Sequence, residues 1–179
     1  IMNKCSKYFY YEDVCHCGET WKQFKDFVTN MAKEDATYQG IKELCENILD
    51  PIQEKFGKIE LTYGFASLEL VKKIKGRIYP ITDQHAGYEK KENGEYICKR
   101  LGQAVDFKIE GINSLQIGQW ILDNQLPFDR LYFYGSMKPL HISYGPNQKK
   151  QIILMREYKP NKRVPRVFKN FDSLVKAVF

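Results

Sequence analysis

Apolar positions recur along the chain at two different spacings. Ile41, Leu44, Cys45, Ile48, Leu49, Ile52 and Phe56 fall three or four residues apart, so 41–56 predicts an amphipathic helix with a single apolar stripe. Pro51 lies inside this run and predicts a kink, because it has no N–H to donate and its ring crowds the preceding turn; Gly57 predicts the end. A weaker stripe of Trp21, Phe24, Phe27, Val28 and Met31 predicts a helix over 20–32. At "KIELTY" the spacing changes, since Ile59, Leu61 and Tyr63 alternate as in a strand. A short helix is expected near 67–73, and strand-like flanks around "ENG" predict a β-hairpin excursion within 88–100. Strands are expected at 103–109, 130–135, 140–145 and 150–156, with a helix over 114–124 carrying Leu115, Trp120 and Ile121. The final stretch, "KPNKRVPRVFKNFDSLVKAVF", is basic and broken by proline, then weakly helical. Helices first and hairpin-linked strands afterwards predict an α+β fold, an antiparallel β-sheet flanked by N-terminal helices.

Composition adds bounds to this picture. At 179 residues the chain fits one domain with a real core, expected over about 5–156 with a basic C-terminal extension over 157–179. Hydrophobic residues at 43% and aromatic residues at 14% exclude a disordered chain. The net charge of +6 is moderate and is partly offset locally, as in "YEKKENGE", so nucleic-acid binding is possible but not favoured. No window approaches the ~18 apolar residues of a membrane span, so no membrane partner is expected. The N-terminus lacks the apolar run of a signal peptide, and five cysteines, an odd number, point to a reducing interior, so the expected localisation is cytoplasmic. Ile1 ahead of Met2 suggests an added residue, or a domain cut from a larger protein.

Two strand-like runs each carry one good metal ligand. In "LGQAVDF" Asp106 lies between Val105 and Phe107, and in "PLHISYG" His141 precedes Ile142. A strand sends alternate side chains to opposite faces, so burying Val105, Phe107 and Ile142 turns Asp106 and His141 outward, where neighbouring antiparallel strands would set them side by side. Catalytic zinc sites take three protein ligands, and "TDQHAG" offers His85 as the third. The other reading of the pair is two surface residues, or a hydrogen-bonded couple without a metal. "CHC" (Cys15 to Cys17) lacks the Cys-x-x-Cys knuckle spacing and reads as packing or free thiols. Cys98 beside Lys99 and Arg100 would have its thiolate favoured by their charges, though no partner for nucleophilic work is evident. Lys99, Arg100, Arg130 and Lys138 are candidates to line an anionic pocket around the metal, against a solvated basic rim as the plain reading. Tyr134 in "DRLYFYG" is a candidate hydrogen-bond donor to a substrate oxyanion, and "NKRVPR" reads as a flexible basic tail.

These pieces together resemble the zinc D-alanyl-D-alanine carboxypeptidases and their phage endolysin and hedgehog-domain relatives. That superfamily carries Ser-x-His-x-x-Gly-x-Ala-x-Asp, then a later strand with Trp-x-His. Here "GQAVDF" resembles the Gly-x-Ala-x-Asp half, "PFDRLYFYGSMKPLHISYG" the later strand pair, "YFYYEDVCHCG" the opening segment, and "LCENILDPIQEKFGKIELTYGFAS" the helix, strand and turn, in the family's order over roughly 5–155. The resemblance implies zinc on His85, Asp106 and His141, with the 88–100 excursion inserted inside the motif; an uninterrupted motif would place Lys99 at the first ligand. The chain departs from the family in other ways. Asp83 replaces the motif's Ser, Ala66 stands where the family has a substrate-holding Arg, and no carboxylate precedes His141 where the catalytic Glu belongs. Asp83, Glu89 and Tyr134 are then the candidates to manage protons or charge, Glu89 competing with a reading as a solvated hairpin residue. The implied function is a metal-dependent hydrolase of an amide-type bond in a small-molecule or peptide substrate. The alternative is a non-catalytic or repurposed module that binds a nucleotide, nucleic acid or partner protein.

Overall fold

The computed structural model describes residues 3–74 and 81–178, so the first two residues, including Ile1 and Met2, lie outside it. The chain forms an α+β fold around a six-stranded sheet. The helical layer is α1 (Tyr11–Cys15), α2 (Gly18–Phe24), α3 (Asp35–Leu44) and α4 (Asp50–Phe56), followed later by α5 (Leu68–Lys73), α6 (Ser114–Asp123) and α7 (Phe171–Val178). The strands are β1 (Ile59–Tyr63), β2 (Gln103–Ile109), β3 (Arg130–Phe133), β4 (Leu140–Tyr144), β5 (Gln151–Lys159) and β6 (Lys162–Phe168), in the spatial order β1-β2-β4-β3-β5-β6.

The long stripe over 41–56 is helical throughout, but its wide turn lies before the proline. Cys45–Leu49 take π-helical hydrogen bonds between α3 and α4, with the Asp50 N–H on the Cys45 carbonyl, directly ahead of Pro51, which has no N–H to give to the continuing helix. Gly57, at φ +98°, ends the run. Ile41, Leu44, Cys45, Ile48, Leu49 and Ile52 are all fully buried against one face of the sheet, where Val105, Phe107, Leu131, Phe133, Leu140 and Ile142 meet them. Alternation therefore sends Asp106, Tyr132 and His141 to the opposite face.

Four expectations are corrected. The sheet is mixed rather than antiparallel: β3 and β5 run parallel because β4 between them reverses the chain and the 145–150 segment reverses it again, while the other pairs are antiparallel. The basic segment 162–168 is the edge strand β6, fully paired with β5, rather than a flexible tail. Pro165 is accommodated there because an edge position needs no ladder from its outer side. The 20–32 helix stops at Phe24, where Val28 leaves the helix to pack with Ala66 and Leu70. The 88–100 excursion is a turn closed by one bridge, Lys90 to Tyr96, rather than a regular hairpin. No helix among the described residues is long and apolar enough to cross a membrane.

Candidate metal centre

The sheet register brings two of the three candidate ligands together. Asp106 on β2 pairs directly with His141 on β4, and His141 pairs with Tyr132 on β3, while Tyr63 at the end of β1 faces Asp106 from the other side. The cross-strand row is thus Tyr63, Asp106, His141, Tyr132. His141 Nδ1 lies 2.7 Å from Asp106 Oδ1.

His85 arrives from outside the sheet. It occupies a single 3-10 turn, Gln84–Ala86, whose first N–H groups are capped by Asp83: the His85 N–H donates to Asp83 Oδ1 at 3.0 Å. Its neighbour Gln84 is buried and donates from Nε2 to Asp129 Oδ2 at 2.7 Å and to the Leu101 carbonyl at 2.6 Å. The imidazole then donates from Nδ1 to the Gly64 carbonyl at 2.8 Å, which a carbonyl can only accept. That bond leaves Nε2 as the unprotonated nitrogen of the neutral ring, 3.4 Å from Asp106 Oδ1. Gly64 itself must be glycine, since a Cβ there would run into the Val14 carbonyl and meet Cys17 Sγ at 3.0 Å. One ligand atom from each of His85, Asp106 and His141 lies within 4.8 Å of the others, a grouping that could hold a metal ion. The donor chemistry fits one: two imidazoles, one with its tautomer fixed by a carbonyl, and a carboxylate.

The site's electrostatics are set by two opposed effects. Burial pushes the His85 pKa down, but the charges of Asp83 and Asp106 and the bonds to Asp106 and the Gly64 carbonyl overcome it, raising the pKa to about 9. Burial likewise pushes Asp106 up, and the facing histidines outweigh it, holding the carboxyl well below the usual carboxylate range. Access is from the Asp106 side, whose side chain is 27% exposed against 6% for His85 and 12% for His141.

Aromatic rings complete the walls. Tyr63 and Tyr132 meet His85 and His141 edge to face, with centroids 4.5 and 4.8 Å apart. Tyr132 accepts a hydrogen bond from Arg100 Nη1 at 3.2 Å. Tyr134, on the same face, has its phenol pKa raised by burial and by the charge of Asp106, with Tyr132 and Asp83 adding to this and Arg163 opposing it, so it stays a donor. Arg163 of β6 packs over the Tyr134 ring at 5.2 Å and donates to its carbonyl at 3.2 Å. Tyr63, Tyr132, Cys17 and Arg163 were not singled out from the sequence as parts of this site. Tyr132 had a usable signal, two residues before Tyr134 on one strand face. Arg163 had none, because its segment read as a tail.

The other candidates fall elsewhere. Glu89 is buried, and its carboxylate accepts from the Lys33 and Glu34 N–H groups at 3.1 Å and from Thr37 Oγ1 at 2.8 Å, which places it at the start of α3. Arg130 is buried in an ion pair with Asp129 at 2.7 Å and also donates to Gln151 and Gln84, so its charge is committed inside the fold. Lys99 and Lys138 are exposed. The five cysteines are free thiols. Burial pushes the Cys98 thiol up, outweighing the Arg100 charge that sequence reasoning stressed. Cys17 lies near enough to Asp106 that burial and that carboxylate push its thiol up to about 12.

Compared with family models, with curated proteins and with solved structures, the chain matches none of them.

Proposed function

We propose that the chain is a zinc-binding domain of the D-alanyl-D-alanine carboxypeptidase and hedgehog type, acting as a metal-dependent hydrolase on an amide-type bond. The observation that carries this reading is the convergence of His85, Asp106 and His141 from three separated segments, with the His85 tautomer set for ligation by the Gly64 carbonyl. Zinc, when bound, supplies Lewis acidity at such a site. Asp106 and His141 hold their places by strand register, and His85 by its capped turn. Tyr134, kept protonated by its surroundings, donates a hydrogen bond toward developing negative charge on a substrate oxygen. Asp83 is the carboxylate assigned to proton transfer, held beside His85 by the His85 N–H on its Oδ1.

A second reading is supported by one specific observation. Glu89 is consumed at α3, and the site is ringed by Tyr63, Tyr132 and Tyr134 with Arg100 and Arg163 behind them. A site of that composition suits retention of an anionic ligand. Zinc-loaded protein incubated with a mixed library of dipeptides and N-acyl amino acids, followed by mass spectrometry, separates the two. Hydrolysis that is lost in Asp83→Asn while zinc is retained supports the enzyme. No cleavage of any amide by fully loaded protein contradicts it and leaves the binding site.

A further inference from the structure

The charge of this protein is concentrated in one element. Residues 149–176 hold nine Lys and Arg against Glu157 and Asp172, a net of +7, while the whole chain carries +6; the remainder is therefore −1. Most of that excess sits on the β5–β6 ribbon. The parallel ladder between β3 and β5 ends at Leu154, whereas β5 and β6 continue paired as far as Lys159 and Lys162. The outer half is thus a two-stranded ribbon with no third strand.

Both strands of this ribbon contribute cations. Arg156 of β5 and Arg166 and Lys162 of β6 share the face of Leu154, Lys159 is the partner of Lys162, and Lys169 follows the end of β6. At the tip Lys159 and Lys162 are direct cross-strand partners, an arrangement that costs stability unless an anion is present. Arg163 pairs with Glu157 at 3.5 Å. Arg156, Lys159, Lys162, Arg166 and Lys169 form no ion pair among the described residues, and all five are exposed. Exposed Val164, Val167 and Tyr158 lie between them, at 45%, 61% and 55%. Lysines on an edge strand deter sheet-to-sheet pairing, but that task needs only the edge strand itself and not the cations of β5 behind it.

We propose that the β5–β6 ribbon is a docking surface for double-stranded DNA. A two-stranded β-ribbon fits the B-form major groove, where phosphates flank it on either side, and cations from both of its strands, Arg156 and Lys159 on one and Lys162 and Arg166 on the other, match that geometry. The deep, narrow major groove of A-form RNA does not admit such a ribbon. The ribbon's contacts are to the phosphodiester backbone, so affinity is in the range of nonspecific binding and depends steeply on salt.

Fluorescence anisotropy with a labelled duplex of about 20 base pairs, on the intact chain, tests this. The expected Kd is roughly 10⁻⁴–10⁻⁶ M at physiological salt, tightening as salt falls. The R156Q/K159Q/K162Q/R166Q variant should bind at least about tenfold more weakly, with the salt slope reduced by about 3.6. The pair R156K/R166K should bind as the parent does, and K22Q/K55Q, outside the ribbon, should change nothing. K159Q/K162Q, confined to the exposed tip, gives the same test at smaller amplitude should the fourfold variant melt early. Chelator should leave binding unaltered. Four results overturn the proposal: no duplex binding at low salt, binding by the fourfold variant equal to the parent's, tighter binding of a single strand of the same length, or preference for vesicles of phosphatidylserine.

Discussion

Asp106 and His141 meet for a different reason from the one that brings His85 to them. The first two are cross-strand partners, fixed by the same register that buries Val105, Phe107 and Ile142 on the other face. A slip of one residue would move the entire set, so the core itself guards their position. His85 sits on a three-residue turn held by polar ties: Asp83 at its N–H, the Gly64 carbonyl at its ring, and Gln84 anchored to the buried Asp129–Arg130 pair. One side of the site is set by hydrophobic packing, and the other by a hydrogen-bond network that must be complete to hold. The two sides should therefore fail differently.

The largest expected effect is Asp106→Ala. It removes the group that both imidazoles face and should abolish stoichiometric metal binding while the sheet stays folded, as metal analysis beside circular dichroism would show. Asp129→Ala attacks the other side. Leaving Arg130 buried without its partner should cost about 3–5 kcal/mol in a denaturant titration, and metal binding should weaken as the His85 turn loosens. Retained affinity in a folded Asp129→Ala protein would break the proposed link between that network and His85. Glu89→Ala, which strips the α3 start of its acceptor, should cost about 1–3 kcal/mol and leave one metal per chain. A loss of metal in that variant would return Glu89 to the site.

The pH dependence sharpens the contrast further. In metal-free protein the His85 pKa, about 9, lies above the ordinary ~6.5 of an unfolded chain. Its contribution to stability is thus fully present below ~6.5 and lost as pH rises through about 9. Metal competes with that proton, so loading should release protons below pH 9 and apparent affinity should climb until then. Calorimetry in two buffers of different ionisation enthalpy would measure the release. The smallest effect belongs to Tyr132→Phe, which loses the bond from Arg100 and should cost about 1 kcal/mol or less with metal content unchanged.

The same contrast explains what could be read in advance. Alternation in "QAVDF" and "LHIS" was enough to put Asp106 and His141 on one face, because burial of their neighbours decides the matter locally. The long helical stripe was legible for the same reason. His85 was reached from the need for a third ligand and from a family resemblance, and nothing local in "TDQHAG" reveals the Gln84–Asp129 anchor across 45 residues. Glu89 looked like a hairpin acid because its partners, Lys33, Glu34 and Thr37, lie 52–56 residues earlier in the chain. The strand β6 was missed because proline and charge suggested a tail where an edge strand tolerates both, and the parallel pairing of β3 with β5 because strand patterning says nothing of which side of β3 the chain returns to after β4.

The central claim is that three side chains from separate segments surround one divalent cation. Elemental analysis of protein purified without chelator measures this directly, in parallel with H85A and K99A. The expected result is about one zinc per chain in the parent and in K99A, and none in H85A. A parent free of zinc that fails to take it up on addition, or an H85A protein that keeps it, would contradict the account.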